Sequence, residues 1–517
     1  MKKRLLPLLC ASALTLALTA CGAQQTTQTD ITDAVALTFT DSGITAQDGT
    51  AGYEIDGTAL TITESGTYAV SGSCADGTIQ IKKGTTGVTL ILNGLDLTSG
   101  DSAAITCGKS GEVTILAADG TQNALSDTEQ NNDDNYPDNS DAENAVIKCK
   151  DGSTVTLGGT GALTVTANGK NGIKSGAATE EDGEASLTIR DLTLHIDAPV
   201  NDAINAEQLL NVESGTLTID AADDAIHCDL TLNIGADGTD GPTIDITSCY
   251  EGLEGAELNV LSGNITINAS DDCINAANSD LTGYAFTLTI SGGTIDAYSS
   301  SGDGFDSNGD LTITGGTVVV WTANTADNEP LDADGTITVT GGTVLAAGGS
   351  SGMGMSLEAA QPCVIYGVSG LGGTPGSAQS SSLIASGADV TIEDSSGSAV
   401  YSGTARCNAC FVLFSSADVT ADGTYMLKAG DSSAEGIAQS GTVSTGMGMG
   451  GGFRGGQKPD GEPPEGFDGQ QPSGEKPELP DGERPEPPDG QGKSKDGRAP
   501  ADDNASDTND PDTTQAA

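Results

Sequence analysis

A four-residue pattern returns along the middle of the chain: an acidic or amide residue, a small residue, a large apolar anchor and a polar residue. It reads Asn171-Gly-Ile-Lys, Asp202-Ala-Ile-Asn, Asp224-Ala-Ile-His, Glu251-Gly-Leu-Glu, Asp272-Cys-Ile-Asn, Asp303-Gly-Phe-Asp and Glu329-Pro-Leu-Asp. The anchors Ile173, Ile204, Ile226, Leu253, Ile274, Phe305 and Leu331 are spaced by 31, 22, 27, 21, 31 and 26 residues. Between them run short β-branched segments opened by turn residues, such as Ser214-Gly-Thr-Leu-Thr-Ile, Ser262-Gly-Asn-Ile-Thr-Ile, Gly315-Gly-Thr-Val-Val-Val and Gly341-Gly-Thr-Val-Leu. Such runs are strand signals, and no window carries a 3.6-residue period. A repeat of this length, with several short strands per unit and no helix, leaves few architectures. Propeller blades are longer and use aromatic signatures, and leucine-rich repeats need a frame absent here. The pattern predicts an all-β right-handed parallel β-helix, a solenoid whose rungs stack about 4.8 Å apart. Unequal spacing is natural in it, because a turn can lengthen without disturbing the strands.

The flanks extend the pattern. Earlier rungs are read at Val88-Thr-Leu-Ile-Leu-Asn, at Ile105 and at Ile147, with an acidic insertion from Ser126 to Asn144 between the last two. After about Ala360 the repeat fades. Cys410-Phe-Val-Leu-Phe and Thr424-Tyr-Met-Leu-Lys are expected to form a small antiparallel cap closing the open end. The N-terminus, Lys2-Lys-Arg followed by an apolar run from Leu5 to Leu18, has the form of an export signal. Leu18-Thr-Ala-Cys21 resembles a bacterial lipobox, which implies cleavage before Cys21 and its lipidation. Residues 451–517 hold 11 of the 18 prolines and almost no aliphatics, so no core can form there. The expected divisions are therefore a signal peptide over 1–20, a linker over 21–36, the solenoid over 37–360, the cap over 361–445 and a disordered tail over 446–517. Nine cysteines remain after Cys10 and Cys21 are set aside, an odd number that cannot all pair. Cys407-x-x-Cys410 is taken as structural, and Cys107 and Cys149, two residues after their anchors, are expected to stack.

Stacking turns sequence positions into columns. Two residues before each anchor stand Asn171, Asp202, Asp224, Glu251, Asp272, Asp303 and Glu329; one after stand Lys174, Asn205, His227, Glu254, Asn275, Asp306 and Asp332. Like charges on neighbouring strands repel, so a stack of carboxylates calls for something to offset it. Hard oxygen ligands select Ca2+. Candidate ligands are Asp202, Asp224, Glu251, Asp272 and Asp303, joined by the loops Asp306-Ser-Asn308-Gly-Asp310 and Asp332-Ala-Asp334. A solvated acidic ridge, with Asp and Asn serving as turn residues, is the competing reading. Residues 21–450 carry 58 acids against ten bases within a chain of net charge −54. That balance disfavours nucleic acid and anionic surfaces, leaving the lipid anchor as the expected route to a membrane.

Several segments resemble a clostridial family of carbohydrate-binding domain-containing proteins, β-helical lipoproteins similar to polysaccharide lyases. They are Ser65-Gly-Thr-Tyr-Ala-Val-Ser-Gly, Ile91-Leu-Asn-Gly-Leu-Asp-Leu, the insertion before Asn144-Ala-Val-Ile, and the repeated Asp-Gly/Ala-Ile and Gly-Gly-Thr motifs. The resemblance spans roughly residues 37–430. It implies a right-handed parallel β-helix, bound Ca2+ and binding of plant cell-wall polysaccharide, either cellulose or a pectate-type acidic glycan such as polygalacturonate. Aromatic faces stack on sugars, and the candidates are Tyr250, Tyr298 and Trp321, with Tyr136 in the insertion. A pectate-type lyase needs a strong base beside its metal. Between Lys174 and Lys428 only Arg190 and Arg406 are basic apart from histidine, and neither lies in the acidic column. The expectation is a monomeric, non-catalytic binding lipoprotein on the outer face of a bacterial membrane. A β-helical lyase or hydrolase, using pairs such as Asp223-Asp224 or Asp271-Asp272, and a solenoid adhesin with a protein ligand stand as alternatives.

Overall fold

The computed structural model describes residues 31–47, 49–323, 328–349, 356–367 and 382–444. The signal peptide, Cys21 and the acidic tail lie outside the described residues. The described residues contain strands and no α-helix. Their organisation follows from one rule: a strand pairs in parallel with the strand that follows about one repeat later. Three ladders result.

The first ladder carries the anchors. Ile105 pairs with Ile147, Ile147 with Ile173, and the register continues through Ile204, Ile226, Leu253, Ile274 and Phe305 to Leu331. Every anchor from Ile173 to Leu331 stands on the next, as the sequence alignment predicts, and all are buried. The second ladder runs from Glu112–Ala117 through Thr154–Gly159, Ser186–Ile189, Leu209–Val212 and Thr287–Ile290 to Ile337–Val339. The third runs from Gln122–Ser126 through Thr193–Ala198, Thr243–Cys249 and Thr294–Ser299 to Thr343–Gly348. Inward side chains alternate with outward ones along each strand. The inward set, almost all Ile, Val, Leu and Ala, forms one continuous core along the three ladders. This is why the chain needs so few aromatics.

Cys107 and Cys149 are register partners, and all nine described cysteines are buried. The C-terminal strands do more than close an end. Phe411–Ser415 pairs antiparallel with Thr343–Gly348 and with Ser356–Tyr366, terminating the third ladder. A separate four-stranded antiparallel sheet, Asp389–Glu393, Ala399–Thr404, Thr424–Ala429 and Ser432–Ile437, encloses a second core with the outward residues Trp321, Leu345 and Ala347.

Candidate functional site: an acidic column on the anchor ladder

Residues two before the anchors lie at the strand entries, where the backbone ladder continues. Gly172 donates to the Asp202 carbonyl, Ala203 to Asp224, Ala225 to Glu251, Gly252 to Asp272 and Gly304 to Glu329. Their carboxylates accordingly stack, and part of the expected repulsion is met from inside the protein. Asp202 Oδ1 accepts the Asp224 N–H at 3.2 Å, Asp272 Oδ1 accepts the Asp303 N–H at 2.6 Å, and Asp303 Oδ1 accepts the Glu329 N–H. Each of these carboxylates thus caps the next rung. Glu251 accepts from Asn275 Nδ2 at 3.0 Å. These bonds do not cancel the cost of enclosure. Burial, reinforced by neighbouring carboxylates, pushes Asp272 up to about 8, Asp303 to about 7, Asp306 to about 6 and Glu251 to about 10. Asp202 and Asp224 are also raised, burial being the largest cause.

Two groups of ligand atoms gather on this face. Asp303, Asp306 and Asp332 each bring a carboxylate oxygen to within 4.8 Å of the others, at a partly exposed rim. This all-oxygen set suits Ca2+. Beside it Asn275, only 9% exposed, has a buried Oδ1 that accepts no hydrogen bond, an orphan acceptor of the kind a cation satisfies. The second group, Asp224, His227 and Glu254, includes an imidazole. Burial opposes a charge on His227, but its bonds to Asp224, Asp229 and Glu254 outweigh this and hold its pKa well above the usual value.

Other predicted ligands fall elsewhere. Asp310 begins a strand of the second ladder, Asp310–Ile313, where its Oδ1 accepts the Thr336 N–H at 2.8 Å. The chain turns at Gly309, where a Cβ would lie 2.0 Å from the Phe286 carbonyl oxygen, so Asp306, Asn308 and Asp310 do not converge as a loop. Asn308 and Asp334 are exposed and stand outside the triad, although Asp334 adds to the field that raises Asp306.

The aromatic expectation needs correction at Trp321. It is 1% exposed, packed in the second core, and offers no face to a sugar. Tyr298, one rung before it, is partly buried, and the Arg406 guanidinium lies 5.3 Å over its ring. Tyr250 is half-buried beside the column and its hydroxyl is bound to Asp271. Tyr136 is partly buried in the insertion, with its hydroxyl on Glu129. An exposed aromatic missed in the sequence is Tyr284, 40% exposed and tilted against Phe286 at 5.6 Å. The Phe286 carbonyl accepts the Asp310 N–H, tying this loop to the corner after Asp306. The signal was a Tyr-x-Phe in an Asn/Asp/Gly-rich turn.

The column after the anchors also begins earlier than expected. Lys148 pairs with Lys174, so the face is basic at one end and acidic at the other. Lys148 is held below its usual value by burial and then by Lys174, and burial raises the nearby Glu207. Anchoring on Ile147 in the sequence was enough to find this pair.

The model of the carbohydrate-binding domain-containing protein family matches residues 56–352. A solved structure described as the polysaccharide lyase-like protein from C. thermocellum, in a gadolinium derivative, is 24% identical with a TM-score of 0.33, covering 60% of this chain and 92% of that one. No curated protein matches.

Proposed function

The chain belongs to the carbohydrate-binding domain-containing protein family, and from that premise we propose a non-catalytic, surface-anchored protein that binds plant cell-wall polysaccharide. The three ladders are read as the faces of a right-handed parallel β-helix, the hand that parallel crossovers almost always take. Export and lipidation at Cys21 place it on the outer face of a bacterial membrane. The observation that carries the ligand reading is the rim triad Asp303, Asp306 and Asp332, with the exposed ring of Tyr284 on the loop that Phe286 ties to Asp310. These carboxylates would hold Ca2+, which supplies the positive charge that a uronate needs on so acidic a surface. Tyr284 offers a face for a sugar ring, and Tyr250 a further polar contact along the column.

Distance favours binding over cleavage. From Asp306 back to Lys174 the ladder runs through Asn275, Glu254, His227 and Asn205, five rungs or about 24 Å. The triad and the lysines therefore cannot act on one uronate ring, as β-elimination requires.

Pull-down on insoluble cellulose and on polygalacturonate gel, each with Ca2+ or EDTA, tests the proposal. Polygalacturonate retention should need Ca2+ and fall in the double variant Asp303→Asn, Asp306→Asn. Cellulose retention should ignore chelator and fall with Tyr284→Ala. Unsaturated product released from polygalacturonate would replace binding with the lyase reading, and retention on neither polymer would favour the adhesin.

A further inference from the structure

The second group of ligand atoms has chemistry of its own. His227 sits in the first ladder between Asn205 and Glu254, so neither neighbouring rung supplies a lysine or arginine. Its Nε2 lies 2.8 Å from Asp229 Oδ1. Its Nδ1 faces two carboxylates at once, Asp224 Oδ2 at 3.2 Å and Glu254 Oε2. A ring nitrogen carries at most one hydrogen, and in the neutral ring only one nitrogen is protonated. With the Nε2 hydrogen given to Asp229, the Nδ1 lone pair points at two anionic oxygens. That arrangement is repulsive unless the ring takes up a second proton at Nδ1 or a metal cation stands in that proton's place. Asp202 is held close by, its Oδ1 on the Asp224 N–H and its Oδ2 on Asn205 Nδ2. An imidazolium brings one positive charge to a place that three carboxylates, Asp224, Asp229 and Glu254, already contact. One rung beyond Glu254 comes Asn275, with the buried, unpartnered Oδ1 described above.

We propose that Asp224, His227 and Glu254 form a transition-metal site, with Zn2+ held by the imidazole Nδ1 and two carboxylate oxygens. The imidazole discriminates against Ca2+, which takes oxygen ligands, and favours Zn2+. Three protein ligands leave a fourth position for water. Asp229 acts on Nε2 as a positioning residue, fixing the tautomer and ring orientation in the way carboxylates support zinc-bound histidines. The site is separate from the calcium triad: two rungs, about 10 Å, divide Glu254 from Asp306. It does not rest on the polysaccharide reading, and its test uses no sugar.

The full chain is stripped of metal and titrated with Zn2+, and with Co2+ as a visible probe, in the presence of excess Ca2+. One ion per chain should bind, and bound Co2+ should show ligand-field absorption indifferent to Ca2+. His227→Gln and, separately, Glu254→Gln should abolish that spectrum. Asp229→Asn should keep the spectrum and weaken binding about tenfold. The Asp303→Asn, Asp306→Asn chain should titrate as the parent does. Far-UV circular dichroism and the metal-free melting curve identify variants that have failed to fold, and any one folded ligand variant suffices. Zn2+ binding untouched by both ligand variants, displacement of Co2+ by Ca2+, or no binding by the parent chain would each overturn the site.

Discussion

At the scale of single residues, the column is a set of carboxylates whose enclosure and mutual repulsion work against their charge. Asp272 and Asp303, at about 8 and 7, bind protons more tightly when folded than at the ordinary value of about 3.9. Their favourable contribution is complete below that value and is lost as pH rises through 7 to 8. Metal-free protein should therefore melt at progressively lower temperature from pH 5 to pH 8. The rise in melting temperature on adding Ca2+ should grow over the same interval, because the cation offsets the charge that appears. Asp272→Asn keeps an oxygen for the Asp303 N–H and removes the charge. It should raise the metal-free melting temperature at pH 8 and leave it nearly unchanged at pH 4; a loss at pH 8 would contradict this assignment. Trp321 poses a different question. Trp321→Ala should cost about 3–5 kcal/mol in denaturant melts without selectively weakening sugar binding. Trp321→Phe should cost less, since it also removes a buried indole N–H that has no partner.

At the scale of the rung, the glycines before three of the anchors, Gly172, Gly252 and Gly304, are a steric requirement. A Cβ on Gly252 would lie 2.3 Å from the Cys273 carbonyl oxygen of the next rung, a separation real side chains do not reach. Gly252→Ala should thus lower stability by more than the roughly 1 kcal/mol by which an unhindered glycine-to-alanine change alters it. Ile274→Ala empties a fully buried anchor and should cost about 2–5 kcal/mol. The comparison matters because Gly252→Ala removes no apolar volume. Equal tolerance of Gly252→Ala and of a surface substitution, measured by urea denaturation, would show that the rungs can slide apart where the register says they cannot.

At the scale of the molecule, the antiparallel strands cover what the parallel ladders leave open. Without Phe411–Ser415 the last rung, Thr343–Gly348, would present an unpaired edge, and without the four-stranded sheet Trp321 and Leu345 would be exposed. Open edges pair with other chains. A chain truncated after residue 349 should form oligomers or aggregates in light scattering, whereas the full chain should not gain mass on the same account. Far-UV circular dichroism of residues 21–445 should show β-structure with negligible helix.

What the sequence by itself determined is the repeat and its register. Alternation within strands and one large apolar residue per unit leave only one way to bury every anchor, so aligning Ile173 with Leu331 and all between them was sufficient to stack them. The carboxylate columns followed, because a side chain's place on a parallel ladder is inherited from its distance to the anchor. Which carboxylates converge was decided only by the tertiary structure. Asp272 and Asp303 face the next rung's N–H groups, Asp310 is carried round a corner by Gly309, and Asp303, Asp306 and Asp332 meet at the rim. The fate of the aromatics was decided there too. Trp321 is outward-facing on its strand, and nothing local in the sequence states that a sheet formed some seventy residues later in the chain will cover it, because that contact depends on long-range packing rather than on period.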